Sequence, residues 1–199
     1  MNNTINAYLQ AWDESLADAR YPSLNHLESR RHFLKQVLCF SAASIFSQQV
    51  LANTLKLNTT TWKTLAAVHL HMFPVATNEP DAASINATAF LKSVLEWPGV
   101  EMQDKKFIVD GVGWLNGLAT KQFQKEFVLL AAGQKETVLR TVEKSKAGES
   151  WLALILLYLL EALLSDPVYG GNVNAVGWKW LQHQPGFPRP PLSKRYFKL

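Results

Sequence analysis

The stretch Trp151–Leu164, WLALILLYLLEALL, decides the fold class. It reads as a helix that is apolar on every face except where Glu161 stands. A membrane-spanning helix calls for about 20 apolar residues, roughly six more than this run offers. A helix so uniformly apolar is expected to lie at the centre of a core or to be shared with a partner.

Outward from it the periodicity stays helical. Toward the N-terminus, Gln134–Lys144 places Val138, Leu139 and Val142 on one side, and Lys146-Ala147-Gly148 reads as the turn between the two helices. A shorter segment from Lys121 to Ala132 precedes Gly133. Asp104–Ala119 carries Phe107, Ile108, Val112, Leu115 and Leu118 at helical spacing. Asp81 or Ser84 caps a helix that runs to about Trp97, where Pro98-Gly99 stops it. Thr61–Met72 is helical up to Phe73-Pro74. No run alternates well enough to argue for a sheet, so the chain reads as all-α: about five helices and a long, irregular, aromatic-rich C-terminal tail. The tail, Asp166–Leu199, holds five of the nine prolines and four of the ten glycines, yet keeps Tyr169, Trp178, Trp180, Phe187, Tyr196 and Phe197. Disordered tails rarely carry so many aromatics, so this one is expected to lie ordered against something.

The first fifty residues read as an address. Ser29-Arg30-Arg31-His32-Phe33-Leu34-Lys35 has the form of a twin-arginine export signal, with Arg30, Arg31, Phe33 and Leu34 as its readable positions. Val37–Phe46 follows as a short apolar stretch, and Val50-Leu51-Ala52 offers small residues of the kind a signal peptidase reads. Cleavage after Ala52 leaves 147 residues and no cysteine, because Cys39 is the only one. Residues 1–29 precede or include the start of the motif, with Ile5, Leu9, Trp12 and Leu16 at helical spacing. They read as a long leader or as upstream sequence included by an early start. The organisation is then 1–52 as extension and signal region, 53–165 as helical domain, and 166–199 as loop and tail. The expected location is the periplasm.

Composition narrows the chemistry. With 48% hydrophobic and 18% charged residues, the 199-residue chain can bury a real core. A net charge of +4 without a long basic cluster does not indicate nucleic acid. One cysteine excludes an intramolecular disulfide, a CxxC pair, and cysteine-built iron–sulfur or c-type haem attachment sites. Gly111-Val112-Gly113 lacks a preceding strand and a third glycine, so it reads as packing on a helix rather than a dinucleotide loop. His69 and His71 lie two apart on a helix, point to different faces, and read as packed or solvated rather than metal-ligating. Nucleophile elbow, Walker loop and zinc-protease helix are all missing from the sequence. Glu161 is the lone acid on the apolar helix and reads as a group that locks the tail, through Lys179 or Trp180. No catalytic, cofactor-binding or metal residue is expected.

What remains is Asp166-Pro167-Val168-Tyr169-Gly170-Gly171-Asn172, followed by Gly177-Trp178-Lys179. The proline stops the long helix, Gly-Gly-Asn permits a tight turn, and the aromatics are interface anchors by type. Tyr169, Gly170, Gly171, Asn172, Trp178 and Trp180 are therefore the candidate partner-binding residues. This D-P-x-Y-G-G-N and G-W-K pattern, after a helical chain with a twin-arginine signal, resembles the gluconate 2-dehydrogenase subunit 3 family. The likeness runs from about Thr61 to Gly186 and is strongest from Ser165 to Lys179. Met72-Phe73-Pro74 also resembles a helix end of the family. Trp180–Gln184 intervenes before Pro185-Gly186-Phe187-Pro188 and departs from the family's spacing, which leaves the subfamily open.

The resemblance implies a non-catalytic small subunit with no cofactor of its own. Its partners are then an FAD-binding large subunit that oxidises gluconate, or glucose, sorbitol or fructose in related complexes, a multihaem cytochrome c subunit, and the twin-arginine translocase. It implies a complex at the inner membrane. The absence of a cofactor motif in the chain adds a reason of its own: export of folded proteins serves a partner that is loaded with FAD before crossing. Two other classes remain open, a stand-alone periplasmic enzyme using Glu161 or the histidines, and a stand-alone periplasmic ligand-binding module with a pocket lined by tail aromatics.

Overall fold

The computed structural model describes residues 2–18 and 57–191, and among these it is all-α, with seven α-helices and no strand. The helices are α1 (Asn2–Asp18), α2 (Thr59–Met72), α3 (Ala87–Glu96), α4 (Met102–Phe123), α5 (Ala132–Val142), α6 (Lys146–Leu164) and α7 (Val176–Trp180). The twin-arginine motif, Cys39, the Ala52 site and residues 192–199 lie outside the described residues.

Side-chain caps set the starts of α2 and α6. The Asn58 side chain accepts from the Thr61 amide at 2.7 Å and opens α2. Asp81 and Ser84 do not cap a helix directly. They bond reciprocally, each side chain to the other's amide at 2.8 Å, and close a turn ahead of α3, which starts only at Ala87. α4 continues through Phe123 and ends where Gln124 turns left-handed at φ 58°. The shorter segment Lys121–Ala132 is therefore the last turn of α4, a loop and a 3-10 turn at Phe127–Leu129. Asn116 fixes that turn, accepting from the Phe127 amide at 3.1 Å while its own amide donates to Thr64 Oγ1 on α2 at 3.2 Å.

The Lys146-Ala147-Gly148 turn is the first turn of α6, because Ser145 caps it: its Oγ accepts from the Gly148 amide at 3.0 Å. α6 thus has 19 residues and, by length and composition, is long and apolar enough to cross a membrane. The length objection made from the sequence falls away. Packing argues for its place in the core instead. Trp151, Ile155 and Ala162 on it are fully buried, and the Trp151 indole donates to the Ile108 carbonyl of α4 at 3.1 Å.

Two apolar clusters share α6. The larger joins its N-terminal half to α1, α2, α4 and α5 around Leu65, Ile108, Leu115, Phe127 and Val138. The smaller packs its C-terminal half, Leu159, Ala162 and Leu163, on Ile85 and Phe90. Gly111 lies directly against the Trp151 indole, so the glycine on α4 serves packing. The tail carries more regular structure than its composition implies: two 3-10 turns, Pro167–Tyr169 and Val173–Ala175, and the five-residue α7.

Candidate functional site

The last carbonyls of an α-helix have no partner within it and must find one outside. At the end of α6 the segment after it supplies them. Trp178 Nε1 donates to the Leu164 carbonyl at 2.8 Å, and Asn172 Nδ2 donates to the Ser165 carbonyl at 3.0 Å. Asn172 Oδ1 accepts from the Gly177 amide at 2.8 Å, and the Asn172 backbone N–H donates to the Ile85 carbonyl at 3.0 Å. Asn86, just before α3, donates from Nδ2 to the Gly170 carbonyl at 2.9 Å. The turn needs the residues found there. Gly170 sits at φ 95°, in the region that favours glycine, and a Cβ on Gly177 would strike the Leu163 carbonyl.

The tail then returns. Arg189 grips Asp166 with two bonds, Nε to Oδ2 at 2.9 Å and Nη2 to Oδ1 at 2.8 Å, and lies 5.4 Å from the Trp178 ring. The guanidinium holds the Asp166 carboxyl below the usual carboxylate range.

The six candidate partner-binding residues divide by this geometry. Gly171, Asn172 and Trp178 are buried, with the polar groups of Asn172 and Trp178 spent on α6 and on the turn. Tyr169 and Gly170 are half-buried, and Trp180 is exposed, its ring 6.1 Å from Phe73. The structure brings Tyr169 to an open groove of about 740 Å³ that also includes Phe90, Trp97, Leu157, Leu160 and Glu161. Glu161 is exposed there. Arg30, Arg31, Phe33 and Leu34 lie outside the described residues.

Sharing of α6 with a partner is one of the two expectations from its apolar run, which assigns no residues to the outer face. Leu156, Leu157, Leu160 and Leu164 keep between 40% and 50% of their surface in solvent, a leucine stripe of which Leu157, Leu160 and Leu164 line the groove. The signal was present in the apolar run itself, since a helix apolar all round that packs on one side leaves apolar residues on the other.

The histidines do not meet. His69 is buried, with Nδ1 2.9 Å from Thr88 Oγ1 and Nε2 facing no partner. Burial pushes its pKa down to about 4, so the ring is neutral at ordinary pH. His71 instead meets Glu136 at 2.7 Å at the surface. Among the described residues, no three His, Cys, Asp or Glu side chains stand close enough to hold a metal ion.

Helices, a tightly capped turn and an apolar outer face define a protein that presents a surface. The family model described as gluconate 2-dehydrogenase subunit 3 matches residues 59–186, and the chain belongs to that family. It is accordingly an accessory-type subunit of a multi-subunit dehydrogenase complex. No curated protein and no solved structure matches the chain. The matched region begins with α2 and ends just past α7, so it includes the capped turn and the leucine face and leaves α1 outside.

Proposed function

We propose that this chain is the non-catalytic small subunit of a membrane-associated, flavin-dependent dehydrogenase of the gluconate 2-dehydrogenase type. It stabilises the FAD-binding large subunit and carries it through twin-arginine export to the periplasm. FAD belongs to the large subunit, and haem c to a cytochrome subunit of the same complex. Gluconate is the first substrate to try, with glucose, sorbitol and fructose as the related choices.

The observation that supports the docking half of this reading is the outer face of α6. Four half-exposed leucines in a row, continuous with a groove that holds Phe90, Trp97 and Tyr169, form an apolar surface of the kind that marks a protein interface. Membership of a dehydrogenase-subunit family supports taking the large dehydrogenase subunit as the occupant. Tyr169 at the groove and Trp180 across the turn extend the surface as aromatic anchors. The motif of residues 166–180 then acts mostly from behind, by fixing the end of the helix that bears the face.

The test is co-purification of the large subunit with a Leu157→Glu/Leu160→Glu double variant. Both positions are exposed, so the variant is expected to keep its helix content and melting temperature while losing at least tenfold of the captured partner. Full retention of the large subunit by the folded variant would remove the α6 face from the interface.

A further inference from the structure

The helix upstream of the arginine pair is seated in the core. On α1, Leu9 and Trp12 are buried, Trp12 to 2% exposure. The Trp12 ring stacks on Trp114 of α4, with centroids 5.8 Å apart and planes within 2°, and tilts against Trp151 of α6 at 6.4 Å. Tyr8 Oη donates to the Trp114 carbonyl at 3.1 Å. Asp13 Oδ1 accepts from the Ala147 amide at 2.7 Å, placing a carboxylate on the N-terminus of α6, where the helix dipole favours it.

The domain side is shaped to receive it. Gly117 on α4 leaves the space that Tyr8 Oη occupies, because a Cβ there would strike that hydroxyl. Lys121 lies 5.0 Å from the Tyr8 ring centre, within cation–π range. Stacked tryptophans, a half-buried phenol fitted over glycine and a charged cap are three separate matches between α1 and one face of the α4–α6 pair. Residues 19–56, which carry the twin-arginine motif in sequence, connect this seated helix to α2.

We propose that the α4–α6 face is a helix-binding seat whose occupant is residues 2–18 of the same chain, and that α1 stays bound there when the chain is cut between it and α2. The cut after Ala52 expected from the sequence then leaves a two-piece protein, in which α1, as part of residues 1–52, continues to cover Trp114 and Trp151 and to cap α6. The consequence for export rests on the twin-arginine reading given above, whereas the seat itself does not. A leader that left with α1 would uncover the half-buried Trp114 and the buried Trp151 on the exported subunit.

The experiment uses the full chain with a protease recognition site inserted between Arg20 and Tyr21. After nicking, the protein is passed through a gel-filtration column under native conditions and the domain peak is analysed by mass spectrometry. Residues 1–20 are expected in the domain peak in near-equal amount. A Trp12→Asp variant in the same background is expected to lose at least tenfold of the fragment, with Asp13→Ala intermediate. Separation of the wild-type fragment from the domain overturns the proposal, as does retention of the Trp12→Asp fragment at the wild-type level. Neither partner nor export enters this readout, so failure here leaves the accessory-subunit reading standing, and failed co-purification leaves the seat standing.

Discussion

Asn172 shows how one side chain can hold an element that it does not belong to. It is fully buried, and its two side-chain bonds satisfy the Ser165 carbonyl and the Gly177 amide. Asn172→Ala leaves both groups without partners in a buried turn, at a cost of about 1–3 kcal/mol each when nothing replaces them. Urea unfolding should show a loss of at least 2 kcal/mol, and an unchanged midpoint would mean that water takes over both bonds. His69 gives a pH-dependent case. Its folded pKa of about 4 lies below the ordinary 6.5, so between these values the unfolded chain binds more protons. Stability is then complete above pH 6.5 and falls as pH drops toward 4, by up to roughly 3 kcal/mol. His69→Gln should flatten this slope in melts recorded from pH 4 to 7, and an identical slope in the variant would assign the effect to other groups. The residues of the 166–180 motif were legible by type and spacing. Which of them face inward was not, because a sequence displays donors and acceptors without the carbonyls they meet.

At the scale of the element, α6 serves two surfaces. Ile155 is fully buried among the other helices, whereas Leu157 keeps 43% of its surface in solvent. Ile155→Ala should cost about 2–5 kcal/mol through lost contacts and a cavity. Leu157→Ala should cost less than about 1 kcal/mol, and equal losses would contradict the two-sided account. The helix was legible from its apolar run, but its first turn was not. Lys146-Ala147-Gly148 looks like a loop by composition, and only the Ser145 cap converts it into helix. The opposite happened at Lys121–Ala132, where a left-handed Gln124 divides a segment whose apolar spacing continues through it. Caps and single left-handed residues act over one peptide, below what periodicity resolves.

For the whole molecule, the all-α class followed from periodicity, while the packing of α1 did not. Ile5, Leu9 and Trp12 announce an amphipathic helix, but its seat is formed by Trp114, Gly117 and Trp151, a hundred residues or more away. Contacts so distant in the chain leave no local mark. The two apolar clusters, the capped end of α6 and the tail clamped by Arg189 make a rigid support for one apolar outer face. A rigid support of this kind suits a subunit that binds a large folded partner, since little ordering cost is left to meet on association. The most direct test is to isolate the tagged full-length protein from its native envelope and record the absorbance spectrum of what comes with it. The account predicts a large co-purifying subunit with flavin absorbance that is bleached by gluconate or a related sugar or polyol. A lone, colourless protein under conditions that preserve membrane complexes would contradict it.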